Sequence, residues 1–127
     1  MEKIRVLLVD DSTYIRTVLG SIIVEAGFEV VGEAADGEEA IRKYMNLKPD
    51  IVLMDVIMEP MNGMAAAEVI LDKDPAARIL METVLEAKEI LVDLIKIGAK
   101  GYITKPFSKE EIAEKIREVI KGGGKVV

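Results

Sequence analysis

The hydrophobic pattern along the chain switches repeatedly between two periods. Residues 4–9 form a continuous apolar run broken only by Arg5, too short for a core helix and suited to a strand buried on both faces. Similar short runs recur at residues 28–31, 51–54, 79–81 and 102–104, and each predicts a strand. Between them the apolar residues return at helical spacing. Ser12 opens a stretch carrying Ile15, Val18, Leu19, Ile22 and Ile23, which closes at Gly27. Asp36 and Glu39 have the spacing of a capping box ahead of Ala40, Ile41, Tyr44 and Met45, and Pro49 ends that helix. An Ala-rich helix is predicted over residues 64–71 and a fourth over 87–97, stopped by Gly98. Ser108 and Glu111 cap the last, whose stripe is Ile112, Ile116, Val119 and Ile120, and residues 122–124 end it.

Strand and helix therefore alternate five times. Such repetition, with right-handed crossovers, predicts an α/β fold: a doubly wound parallel sheet covered on both faces. Five units match the flavodoxin-like order 2-1-3-4-5. A chain of 127 residues is one domain, expected over residues 1–121, and the Gly-rich tail 122–127 reads as a frayed end.

Composition narrows the chemistry more than the fold. There is no Cys, which excludes disulfides, thiolate metal sites and thiol nucleophiles. There is no His, which removes imidazole bases and ligands and any role as a histidine phosphodonor. A net charge of −6 disfavours nucleic acid and anionic lipid as partners. No run approaches the roughly 18 apolar residues of a membrane span, and the N-terminus lacks the layout of a secretion signal. A cytoplasmic protein is expected.

In a doubly wound sheet, function collects where the strands end. The first predicted strand ends in Asp10 and Asp11 and the third in Asp55; Thr83 follows the fourth and Lys105 the fifth. Taken singly, each is ordinary: adjacent aspartates often only cap a helix, a threonine after a strand is usually a cap, and a lysine before a proline is usually a loop residue. Their joint arrival at one rim is not ordinary. Three close carboxylates repel one another and raise at least one pKa. Mg2+ relieves that repulsion, since it favours one or two carboxylates together with water and phosphate oxygens. An ionised aspartate can accept a phosphoryl group, while lysine and hydroxyl partner its oxygens.

The stretches Leu8-Val9-Asp10-Asp11-Ser12, Met54-Asp55-Val56, Gly98-Ala99-Lys100-Gly101-Tyr102 and Thr104-Lys105-Pro106-Phe107 resemble the signatures of the receiver-domain family of two-component signalling, at its usual spacing and over nearly the whole chain. The likeness is strongest to the free-standing chemotaxis regulators of that family. It implies a switch protein rather than an enzyme, catalysing only its own phosphorylation and dephosphorylation. By position, Asp55 is the implied phosphoacceptor, and Asp10, Asp11, Asp55 and the backbone carbonyl of Ile57 hold Mg2+, Asp10 mostly through water. Thr83 and Lys105 meet the phosphoryl group, and Tyr102 is the implied switch aromatic. A cis Lys105–Pro106 bond is also implied.

The implied partners are a histidine kinase and a downstream target that binds the face of the fourth helix, fifth strand and fifth helix. There, Val92 and Leu85 fall off the buried stripe of Ile90, Leu91 and Leu94. A monomer or a weak phosphorylation-dependent dimer is expected. Three positions depart from the family pattern: Glu59 stands where proline is usual, with Pro60 following, Glu82 is unusually charged, and Val84 is bulky for its place. Other readings of the chain are a phosphorelay intermediate and a scaffold that keeps the fold without switching. A Mg2+-dependent phosphohydrolase fits poorly, because Val56 and Ile57 follow Asp55 where that chemistry needs a second carboxylate.

Overall fold

The structure is a computed structural model that describes residues 2–84 and 88–122. Strands β1 (Arg5–Val9), β2 (Glu29–Ala34), β3 (Ile51–Asp55), β4 (Ile79–Val84) and β5 (Gly101–Lys105) form one sheet in the order β2-β1-β3-β4-β5. Every pairing is parallel. The helices are α1 (Thr13–Glu25), α2 (Gly37–Leu47), α3 (Gly63–Lys73), α4 (Lys88–Ile97) and α5 (Lys109–Ile120). This is the expected five-unit doubly wound architecture.

The strands are apolar along their whole length because each of their faces meets a different core. Leu7, Val9, Val52, Met54, Ile79 and Met81 point to one side and pack with Ala40, Tyr44, Ala66, Ile70 and Leu94 of α2, α3 and α4. Val6, Leu8, Leu53, Leu80 and Ile103 point to the other and pack with Leu19 and Ile23 of α1 and Ile112, Ile116 and Val119 of α5. Consecutive residues such as Leu7 and Leu8 thus divide between the two cores, as the pleat requires.

Local signals placed the helix starts. The Ser12 hydroxyl accepts the Ile15 N–H at 3.2 Å, and the Asp36 carboxylate accepts the Glu39 N–H at 2.9 Å. Ser108 and Glu111 form a complete capping box. Only half of the expected box stands at α2, because the Glu39 carboxylate reaches past Asp36 and accepts the N–H of Ala35 at 2.7 Å. Asn62 caps α3, accepting the Ala65 N–H at 2.8 Å.

Element lengths differ from the sequence reading where pairing overrides local pattern. β2 begins at Glu29 rather than Phe28 and continues through Gly32, Glu33 and Ala34, since β1 offers partners that far. β4 runs to Val84, because β5 supplies Thr104 and Lys105 opposite Thr83 and Val84. Glu82 and Thr83 are therefore inside the strand rather than beyond it. α3 starts one residue earlier and ends two later than its apolar pattern implied. Val18, placed in the buried stripe of α1, is exposed. The expected helix start at Ala87, the off-stripe Leu85, and Gly123 and Gly124 lie outside the described residues.

The loop after β3 is held against the sheet by a close backbone approach. The Gly63 N–H donates to the Val56 carbonyl at 2.8 Å, and a Cβ at Gly63 would lie 1.9 Å from the Asp55 carbonyl oxygen. Both Glu59–Pro60 and Lys105–Pro106 are cis. Gly63→Ala must push α3 away from β3 and is expected to destabilise the fold by about 2 kcal/mol or more, as overpacking of a rigid backbone contact does. Urea unfolding of the two proteins measures the difference.

Candidate functional site

The rim at the carboxyl ends of β1, β3, β4 and β5 gathers the polar residues that the sequence picked out. Leu8, Leu53, Leu80 and Ile103 share the α1–α5 face of the sheet. Asp10, Asp55, Glu82 and Lys105 each follow one of these by two residues, so the pleat aims them to that same side. Asp10 and Asp55 are buried and Asp11 is exposed. One carboxylate oxygen from each of Asp10, Asp11 and Asp55 lies within 4.8 Å of the others.

The interactions around this triad are few and specific. Asp10 Oδ1 accepts the Ser12 N–H at 2.8 Å, and Asp55 Oδ1 accepts the Ile57 N–H at 3.1 Å. Lys105 reaches across the sheet to place Nζ 3.2 Å from Asp55 Oδ2 and 3.9 Å from Asp10 Oδ2. Asp10 Oδ2 is nevertheless buried without a hydrogen bond. The Thr83 hydroxyl is turned to the carbonyl of its own neighbour Val84, at 3.1 Å. Tyr102 stands off the site, half-buried against the α2–α4 core. The side chain of Ile57 is exposed beside Asp55.

Burial and crowding set the charges. Removal from water pushes the Asp10 carboxyl above its ordinary pKa; the Ser12 N–H works against this, and the nearby Asp55 charge reinforces it. Burial works against the Lys105 ammonium, but Asp55, Glu82 and Asp10 together outweigh it and raise its pKa. Glu82 is fully buried, both its oxygens lack partners, and its pKa is pushed up to about 8, chiefly by desolvation. Sequence alone marked Glu82 only as an unusual charge at a strand end. Its burial follows from pairing with Asp55 on one side and Ile103 on the other.

A hard divalent cation fits this cluster. Mg2+ takes oxygen ligands at roughly 2.1 Å, which puts adjacent ligand atoms about 3 Å apart and opposite ones about 4 Å apart. The triad's oxygens lie within 4.8 Å of one another, a small adjustment away from that spacing, and Asp10 Oδ2 is an oxygen in want of a partner.

Residues 6–117 match the family model of the response regulator receiver domain. The chain belongs to the response regulator receiver family. This receiver is 44% identical to the chemotaxis protein CheY of Thermotoga maritima, over 92% of the chain and 98% of that protein. It superposes on the CheY of Borrelia burgdorferi, solved in complex with CheX, BeF3 and Mg2+, with a TM-score of 0.87. The identity is 35%, and the match covers 91% of this chain and 87% of that one. The receiver domain of the response regulator NarL from Mycobacterium tuberculosis matches with a TM-score of 0.91 at 28% identity, over 96% and 99% of the two chains. The protein is a CheY-type receiver, a phosphoacceptor signalling switch whose aspartate cluster fits the phosphorylation site. Among the described residues no helix is long and apolar enough to cross a membrane.

Glu82 gives this receiver a pH signature. Unfolded, the glutamate loses its proton near its ordinary value of 4.5, whereas folded it keeps the proton until about pH 8. The unfolded state thus binds fewer protons between those limits, and this residue's contribution to stability falls as pH rises through the window. At pH 7 the penalty is on the order of 3 kcal/mol. In the presence of chelator, Glu82→Leu is expected to melt higher than the parent, with a gain that widens from pH 5 to pH 8. Parallel thermal melts check it.

Proposed function

We propose that Asp55 is the phosphoacceptor of this receiver, taking a phosphoryl group from the phosphohistidine of a cognate kinase in a chemotaxis pathway. The observation that carries the reading is the Lys105 ammonium, 3.2 Å from Asp55 Oδ2 inside a cluster of three carboxylates. Asp10, Asp11, Asp55 and the Ile57 carbonyl would hold Mg2+, which supplies charge neutralisation for the acceptor and the incoming phosphoryl oxygens. The Ile57 N–H, donating to Asp55 Oδ1, keeps one carboxylate oxygen in place and leaves the other, beside Lys105, to attack phosphorus. Lys105 then partners a phosphoryl oxygen. Thr83 must give up its bond to the Val84 carbonyl to meet another, and Tyr102 on the neighbouring strand, opposite Met81, is the aromatic positioned to follow. No substrate beyond the phosphodonor is needed, which accords with a switch that catalyses only its own loading and unloading in the cytoplasm.

Incubation with acetyl phosphate and Mg2+ is expected to add one phosphoryl group by intact mass. Chelation should reduce the labelling to background, and so should Asp55→Asn; labelling of Asp55→Asn at the parent's rate would refute the assignment.

The downstream target is proposed to bind the α4–β5–α5 face. Val92 and Ile95, one turn apart on α4, are exposed there, while Ile90, Leu91 and Leu94 of the same helix turn to the core. Adjoining exposed apolar side chains of this kind mark contact surfaces. Replacing Val92 and Ile95 together with serine should weaken capture of the target by the phosphorylated protein at least about tenfold, the size of a central contact pair, with loading unchanged. Pull-down and intact mass read the two effects separately.

A further inference from the structure

The turn from β1 into α1, which carries two of the three clustered aspartates, is held by a cation outside that cluster. Arg16, in the first turn of α1, is only 14% exposed. Its Nε donates to Glu33 Oε1 at 2.9 Å, Nη1 to the backbone carbonyl of Asp10 at 2.5 Å, and Nη2 to the Thr13 hydroxyl at 3.3 Å. One planar fork thus ties together the end of β2, the end of β1 and the start of α1.

The bond to Asp10 falls where the sheet runs out of partners. Asp10 is buried, and its N–H donates to the Ala34 carbonyl of β2 at 3.1 Å. A continuing parallel strand would offer its next N–H to the Asp10 carbonyl, but β2 ends at Ala34 and the chain turns at Asp36 to cap α2. Among the described residues Arg16 is the donor that this carbonyl has, and a buried carbonyl without one costs free energy. The carbonyl belongs to the rigid, planar peptide unit that joins Asp10 to Asp11, so turning it swings the Cα of Asp11. Asp11 depends on that placement. The carboxylates of Asp10 and Asp55 are tied to the N–H groups of Ser12 and Ile57. The exposed carboxylate of Asp11 has no hydrogen bond or ion pair among the described residues.

We propose that Arg16 is a positioning residue for the cation site: by holding the Asp10 carbonyl it fixes the Asp10–Asp11 peptide, and with it the point from which the Asp11 carboxylate reaches Mg2+. Glu33 in turn holds the guanidinium, so β2 supports through this pair a carbonyl that its own backbone does not reach. The inference rests on Asp10, Asp11 and Asp55 being the Mg2+ site and adds the group that sets the aim of its one untethered carboxylate. Groups behind a metal ligand act in this way, by orienting the ligand before the ion arrives. Charge alone works in the opposite direction. A guanidinium beside a cation site repels the cation, so its removal would tighten binding if repulsion were all it contributed.

Calorimetric titration with Mg2+ alone tests this on the parent, Arg16→Met, Arg16→Lys and Asp11→Ala. Arg16→Met keeps the stem and loses the donors, and its Mg2+ dissociation constant should rise about tenfold, the lower end of what losing a group behind a metal ligand costs. Arg16→Lys keeps one ammonium for the carbonyl but not the fork that also grips Glu33, so its constant should fall between the two. Loading from acetyl phosphate, followed by intact mass, should be slow in Arg16→Met at limiting Mg2+ and match the parent once Mg2+ saturates. An unchanged or tighter constant in Arg16→Met overturns the proposal, the tighter value marking simple repulsion. A loading deficit that saturating Mg2+ leaves in place also overturns it, since the effect then lies at the acceptor or in the fold. Thermal melts in chelator show whether Arg16→Met is folded. If it is not, Arg16→Lys decides, and Mg2+ binding equal to the parent's refutes the restraint. Equal binding by the parent and Asp11→Ala would instead bring down the reading of the cation site, and this inference with it.

Discussion

A parallel sheet buried on both faces leaves a polar side chain one inexpensive place to stand, the end of a strand. Along β1, β3 and β4 successive residues belong to opposite cores, so neither face offers water to a charged group. All strands run the same way, and their carboxyl ends open on a single rim. Asp10, Asp55, Thr83 and Lys105 meet there because the sheet excludes them from its interior. Beside the rim, the close approach of Gly63 to the Asp55 backbone brings the start of α3 against the end of β3.

Concentrating charge in this way creates a local imbalance. Three carboxylates share one ammonium, Asp10 is pushed toward protonation, and one of its oxygens is left without a partner. Lys105 spans two strands to supply the compensating charge, and the strand it crosses carries a fourth carboxyl. A site with so much unbalanced charge responds strongly to anything that adds or removes charge, which is the property a phosphorylation switch needs. The groups placed to register such a change are close by and weakly committed. Among the described residues the Thr83 hydroxyl is bonded to its neighbour's carbonyl alone, and Tyr102 is half-buried on the opposite face.

Much of this was legible in the sequence. Strands read as unbroken apolar runs because both faces are covered, helices by their 3.6-residue period, and helix starts at Ser12, Asp36 and Ser108 by side chains that accept an N–H three residues on. The rim residues stood out as polar groups directly after apolar runs. Their joint spacing matched the receiver family, and the matched region of residues 6–117 accords with that.

What the sequence determined by itself was whatever depends on neighbours along the chain: the order of elements, the faces of most helices, and the set of residues that end at the rim. Tertiary structure alone decided what depends on partners in other strands. β2 and β4 are longer than their apolar patterns because β1 and β5 offer backbone partners beyond those patterns. Val18 follows the spacing of the α1 stripe yet is exposed, since only the packed helix shows how wide the buried face is. Glu82 is the clearest case. A charged residue after an apolar run ordinarily marks a strand end, and local pattern could read it no other way. Pairing on both sides drew it into the sheet, where burial raised its pKa.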